Sequence, residues 1–427
     1  MASFVEIPRM FAVRQSFPRP RVADLTVAVH AELAGLFPPG AISPGAKIGV
    51  TVGSRGISGI ATLTRAAVDF LKGRGAQPFI LPAMGSHGGA TAENQAHLIG
   101  HYGITEENMG CPVRAAMETR SLGRTDDGVD ALLAETAWNS DGVLLMNRIK
   151  PHTDYKGQIE SGLTKICAIG LGKYDGAQEI HRHLFDLGLG EAIRSVTEKV
   201  ISSGKILGGL AILENAYHET ARLARVGVDD FFATEAALLE EARTLMGRLP
   251  LDEIDVLFCD RMGKNISGAG LDTNVIGRSV YGYTQGEAWL EGMPAIVRIV
   301  VSDLSEESDG NAVGMGLVDF ITERFHKKID HRVTALNSMT ACATLGAKTP
   351  IVLPSDREAL EAAIRTSPIR AAGPRVVHVR DTLALEDVQL SEACLPLVDG
   401  RDDMEILSEP RPLEFGPDGT IRSPFEN

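Results

Sequence analysis

The chemistry in this chain concentrates in glycine-rich loops. His87 stands in Gly85-Ser86-His87-Gly88-Gly89, His152 in Lys150-Pro151-His152-Thr153-Asp154, and Arg55 in Gly53-Ser54-Arg55-Gly56. An imidazole takes and returns a proton near neutral pH, so a pair of them suits acid–base work on a substrate hydroxyl. A guanidinium grips a carboxylate through paired donors. Glycines on either side of Arg55 and His87 allow a ligand to come close to the backbone. Further on, Lys165 interrupts the apolar stretch Leu-Thr-Lys-Ile-Cys-Ala-Ile-Gly-Leu-Gly. A lysine in such a setting either snorkels from a helix face or is held for chemistry. His181 and His183 lie two residues apart, so on a helix they face different ways and at most one enters a common site. The remaining histidines carry less: His30 and His97 sit in helical stretches and read as ordinary surface or packed residues.

Several chemistries are disfavoured by what is missing. No HExxH run offers a zinc pair on one helix face, and no GxxxxGK[ST] offers a P-loop. Gly170-Leu171-Gly172 lacks the third glycine of a dinucleotide fingerprint. The five cysteines are scattered, odd in number and without a CxxC, which suggests neither a disulfide framework nor a thiolate metal site.

The elements that must position these loops alternate. Short apolar runs at Lys47–Val52, Pro78–Pro82, Gly142–Met146 and Ile206–Leu213 read as strands. Ile60–Lys72, the stretch after a Thr91 N-cap, Gly176–Phe185 and Glu191–Ile201 read as helices. The three loops each follow an apolar strand, and ligands of open parallel sheets sit beyond the carboxyl ends of the strands. Continuous apolar strands separated by helices predict a parallel sheet covered on both faces. After the helix Phe232–Leu249 a second unit is expected to begin at Leu251. It has strands at Ile254–Cys259, Ala295–Val301, Val376–Val379 and Met404–Leu407, helices at Gly314–Lys327 and Arg357–Arg365, and a turn at Pro417-Asp418-Gly419. The fold class read from this is α/β: two α/β domains with mainly parallel sheets, residues 1–250 and 251–427, with the active site in the interdomain cleft. The tail is expected to pack back on the first domain.

Composition sets the outer limits. The chain has 427 residues, 23% charged and 44% apolar, an ordinary balance for a globular protein of more than one domain. Its net charge of −14 argues against nucleic acid and anionic membrane as partners. The opening residues lack the basic-then-apolar layout of a secretory signal, and no uncharged stretch is long enough to span a bilayer, so a cytoplasmic protein is expected. Glycine is the outlier, 45 residues against a norm of ~7%.

Taken together, Ala-Met-Gly-Ser-His87-Gly-Gly, Arg-Ile-Lys-Pro-His152, Ser-Gly-Leu-Thr-Lys165-Ile-Cys-Ala-Ile-Gly and Glu-Ile-His181 resemble the nickel-pincer racemase and epimerase family. The family has the same interval between its lysine and final histidine as is found here, 181 − 165 = 16. The resemblance covers most of the chain and is strongest from Ile48 to His183. It implies an isomerase that racemises or epimerises a 2-hydroxy acid. Its cofactor would be a nickel-pincer nucleotide, pyridinium-3,5-bisthiocarboxylic acid mononucleotide carrying nickel. Lys165 would hold the cofactor covalently, His181 would ligate nickel, His87 and His152 would form the acid–base pair, and Arg55 would orient the substrate. The partners implied are the hydroxy acid and the proteins that build the cofactor; the oligomeric state stays open.

Two departures bear on the substrate. The family's Asp-x-Thr-Arg reads Val52-Gly53-Ser54-Arg55, and its Asp-x-Asn-Leu-Tyr-Gln-x-x-Lys reads Asp272-Thr273-Asn274-Val275-Ile276-Gly277-Arg278-Ser279-Val280. Lys264 and Arg278 are the replacement carboxylate binders, each equally readable as a solvated loop charge. A hydroxy acid other than lactate, such as a sugar acid or a dicarboxylate, is expected. Two other readings stand beside this one. The first is a divalent-metal hydrolase or lyase with His87, His152 and His181 as ligands. The second is a non-catalytic small-molecule binding protein on the same scaffold.

Overall fold

The computed structural model of the chain describes residues 6–54, 56–282 and 292–425. The chain divides into two compact units, Arg19–Met246 and Met1–Pro18 joined with Gly247–Asn427. The break at Gly247 lies close to the one expected before Leu251. The first eighteen residues, however, belong with the C-terminal unit. The reason is strand pairing: β1 (Met10–Gln15) has little to bond to in the chain that follows it, and finds its partners near the other terminus.

The Arg19–Met246 unit holds β2 (Lys47–Val52), β3 (Gln77–Pro82), a hairpin of β4 (Thr119–Arg124) and β5 (Asp130–Ala134), then β6 (Gly142–Arg148), β7 (Ile206–Glu214) and β8 (Thr220–Val226). Its five-stranded sheet runs β3-β2-β6-β7-β8. The first four strands are parallel, and β8 closes the edge antiparallel to β7. The strands are buried almost end to end because both faces are covered. Alternate residues serve opposite cores, as the two-residue period of a strand requires. Ile48, Val50, Val52, Leu144 and Met146 pack with the helix Ile60–Gly73 on one side. Phe79, Leu81, Val143 and Leu145 pack with the helix Leu189–Ser202 on the other. Each such side chain fully withdrawn from water contributes roughly 1.5–3 kcal/mol.

The other unit adds β9 (Glu253–Met262), β10 (Ala295–Leu304), β11 (Phe320–Thr322), β12 (Ile351–Leu353), β13 (Val376–Val379), β14 (Asp387–Ser391) and β15 (Met404–Ile406). Together with β1 they form an eight-stranded sheet of order β12-β11-β10-β9-β13-β14-β1-β15. The run from β12 to β13 is parallel, and the last three pairings are antiparallel. The fold is therefore α/β with mixed, mostly parallel sheets. The tail is anchored within the C-terminal unit: the Ile421 amide donates to Asp356 Oδ2 at 2.8 Å, and Ile421 packs with Val256 and Phe258. One expectation is corrected here. Gly314–Lys327 is not one helix but a turn, the strand β11 and the short helix Glu323–Lys327. Phe320 and Ile321 of that strand pack into opposite cores, which a helix could not arrange. No helix among the described residues is long and apolar enough to cross a membrane.

Candidate active site

β2, β3 and β6 are adjacent and parallel, so the loops that leave their carboxyl ends start from one edge of the sheet. These are the three loops that carry Arg55, His87 and His152. Arg55 itself lies outside the described residues; its neighbour Ser54 accepts a hydrogen bond from Tyr102 Oη at 2.9 Å through its carbonyl.

The His87 loop is tied down from two directions. His87 Nδ1 donates to the Met84 carbonyl at 2.9 Å, which leaves the lone pair of the neutral ring on Nε2. Buried Gln95 donates its amide to the carbonyls of Gly85 at 2.9 Å and His87 at 3.1 Å. The ring of His87 remains exposed. The loop packs against the segment that carries Lys165 and His181. Gly85 has φ +57°, and a Cβ there would lie 3.0 Å from Ile169 and 3.5 Å from Ala177. A Cβ on Gly170 would lie 2.6 Å from the Ala83 carbonyl, so only glycine permits that approach.

His152 is buried. Its backbone amide donates to Glu160 Oε2 at 2.5 Å, and Glu160 Oε1 receives Arg243 at 2.6 Å and the Gly157 amide at 3.2 Å. This buried carboxylate therefore folds the loop 150–161 around itself. The Asp154 amide donates to His152 Nδ1 at 3.0 Å. The proton of the neutral ring consequently sits on Nε2, which lies 2.5 Å from Lys165 Nζ. Burial, and after it the nearby Lys165, Lys150, His181 and Lys156, push His152 well below the ordinary imidazole range.

Lys165 ends a helical turn, Leu163–Lys165, that continues through a wider turn at Ile166–Gly170 into the helix Leu171–Arg182. Wider turns of this kind occur often at functional sites. His181 sits near the end of that helix and donates Nδ1–H to the Ala177 carbonyl at 2.6 Å. Its Nε2 therefore presents a lone pair, the state a metal ligand needs. Burial holds the ring below its usual range. His183, two residues on, instead meets Asp186 at 3.1 Å and Glu179 at 3.5 Å.

Lys165 and His152 come together, His181 is close enough to act on both electrostatically, and the His87 loop packs against the helix that carries His181. Lys264 and Arg278 lie in the other unit. Lys264 Nζ donates to the Gly268 carbonyl at 2.6 Å. Arg278 donates to the carbonyls of Leu317 and Val297 at 2.6 and 3.2 Å and to Asp319 at 2.8 Å, a set that ties its loop to the sheet. Among the described residues no group of three or more His, Cys, Asp or Glu is arranged to hold a metal ion. For a three-histidine centre the obstacle is His152, whose two ring nitrogens are engaged by Asp154 and Lys165.

Sequence reasoning passed over the residues that hold these groups: Glu160, Thr164, Lys173 and Glu235. Lys173 is fully buried, adopts φ +57°, and donates to the Pro82 carbonyl at 2.5 Å, joining the end of β3 to the His181 helix. Burial brings it down to about 8. Glu235 was legible in principle, because it shares a helix face with Leu238, Leu239 and Ala242, where a carboxylate is out of place.

No protein-family model matches the chain, and no curated protein matches its sequence. Among solved structures, the lactate racemase apoprotein from Thermoanaerobacterium thermosaccharolyticum is similar, at 14% sequence identity and a TM-score of 0.48. That match covers 88% of this chain and 99% of the other.

Proposed function

We propose that the chain is a nickel-pincer-dependent isomerase that racemises or epimerises a 2-hydroxy acid. The observation that carries the reading is the Lys165–His152 contact, supported by His181, whose Nδ1 bond to the Ala177 carbonyl leaves the Nε2 lone pair for another partner. It rests equally on the sequence pattern that led to these residues. The residues fit the cofactor. A neutral imidazole nitrogen such as His181 Nε2 is a ligand that nickel(II) would accept.

When bound, the cofactor supplies a reversible acceptor for the hydride of the substrate's Cα. Everything else falls to the chain. Lys165 would hold the cofactor and His181 would ligate its nickel. His87 and His152 move the proton of the 2-hydroxyl, one for each enantiomer, because the hydrogen must leave one face and return to the other. Arg55 would orient the carboxylate.

The test is intact mass and nickel content of protein made together with the cofactor-building enzymes. A covalent increase mapping to Lys165, with about one nickel per chain, is the expected result. No adduct, under conditions that mature a known family member, would sink the proposal.

A further inference from the structure

Lys165 follows a backbone corner that is clamped by a carboxylate to which no role has yet been given. Glu235 lies on the helix Phe231–Leu245 and is 1% exposed. Its Oε2 accepts the Thr164 amide at 2.9 Å and the Thr164 hydroxyl at 2.6 Å, and its Oε1 stands 3.3 Å from the same amide. The space the carboxylate occupies exists because residue 162 is glycine: a Cβ there would lie 2.0 Å from Oε1. The corner is gripped from other sides as well. Thr197 Oγ1 donates to the Thr164 carbonyl at 3.0 Å, and Asn147 Nδ2 donates to the Gly162 carbonyl at 2.8 Å. Asn147 lies in β6, five residues before His152. Lys165 is the next residue along.

A leucine at position 235 would fill the same core, and a buried carboxylate costs stability unless its geometry is used. Here the geometry is used on the residue before Lys165. We infer that Glu235 is a positioning residue for Lys165, fixing the start of its turn so that Nζ meets His152 Nε2. The inference rests on Lys165 being the attachment point of the proposed function. A shift of the turn by a fraction of a helical step would part the amine from His152 and from any ligand held there.

The test reads the reactivity of Lys165 without the cofactor. Cofactor-free protein is treated with pyridoxal 5′-phosphate and borohydride, and labelling at Lys165 is measured by peptide mapping relative to all other lysines. Glu235→Ala is expected to lower the Lys165 share roughly ten-fold while the other lysines keep theirs. Glu235→Gln, which retains one acceptor oxygen, should recover part of it. A general loosening of the fold would instead raise labelling across many lysines. A folded Glu235→Ala protein with the wild-type share at Lys165 would overturn the inference. Should that variant not fold, Thr164→Val removes one of the clamping bonds and keeps the core; a wild-type share there would overturn it equally. Absence of an adduct on wild-type protein made with the cofactor-building enzymes would instead refute the functional reading, and the labelling ratio would still decide the role of Glu235.

Discussion

The contact between His152 Nε2 and Lys165 Nζ is set by the hydrogen bond on the far side of the ring. Because the Asp154 amide occupies Nδ1, the ring meets the lysine through Nε2. His181 is set in the same manner by the Ala177 carbonyl, with the opposite tautomer. One histidine thus presents a proton and the other a lone pair, which is the division of labour that an acid–base group and a metal ligand require. His181→Ala should therefore lose nickel while retaining the organic part of the cofactor on Lys165, measured by metal analysis and intact mass of the same sample. Unchanged nickel would remove His181 from that role. Lys165→Ala should leave no covalent mass at all. Glu235 supplies a prediction independent of cofactor. Burial raises its carboxyl from 4.5 to about 7, against the pull of its Thr164 hydrogen bonds. A raised carboxyl favours the folded state fully below the unfolded value, near 4.5, and this advantage is lost as pH climbs through about 7. Denaturant melts should show wild-type stability falling between pH 5 and 8 by on the order of 3 kcal/mol relative to Glu235→Gln. Parallel pH curves for the two proteins would refute it.

At the scale of elements, the site depends on how closely the end of β3 lies on the helical segment after Lys165. Ala83, Gly85 and the Pro82 carbonyl on one side meet Gly170, Ala177 and Lys173 on the other. Gly170→Ala would drive a methyl into the Ala83 carbonyl and should cost about 1–3 kcal/mol. If the packing also sets His87 over the site, turnover should fall further than stability does, which a comparison of melting temperature with kcat would show. The elements that build this junction were mostly readable in the sequence. Lys47–Val52 is β2 to the residue, and the apolar runs at Gly142–Met146 and Ile206–Leu213 are β6 and β7 short of their polar ends. Runs buried on both faces announce themselves by hydrophobicity alone. The hairpin of β4 and β5 was invisible for the converse reason: β4 reads Thr-Arg-Ser-Leu-Gly-Arg, largely exposed, and is held by backbone pairing and by Arg120 and Arg124 on Glu135 and Asp130. The residues of the site were legible where glycine flanks a reactive side chain, as at His87. The clamps were not, since Glu160, Lys173 and Glu235 act on backbone atoms brought close only by folding.

At the scale of the molecule, the chain's order and its folding units do not coincide. β1 lies between β14 and β15, paired with the former from Met10 to Arg14 and with the latter from Val13 to Gln15. Its Gln15 side chain is buried and bonded to the carbonyls of Leu385 and Arg248. Without β1, β15 has no neighbour in the sheet order and β14 becomes an edge. Residues 19–246, by contrast, contain a whole sheet with both faces covered, and also Lys165, His152, His181 and His87. Removing Met1–Pro18 should therefore unfold the margin of one unit and spare the other. Hydrogen exchange would report it: amides of β14 and β15 should lose protection, while those of β2, β6 and β7 keep theirs. Residues 19–246 produced alone with the cofactor-building enzymes should still gain mass at Lys165 and bind nickel, since every group assigned to holding the cofactor lies within them. Failure of that folded fragment to take up the adduct, where the full chain does, would mean that attachment draws on the second unit.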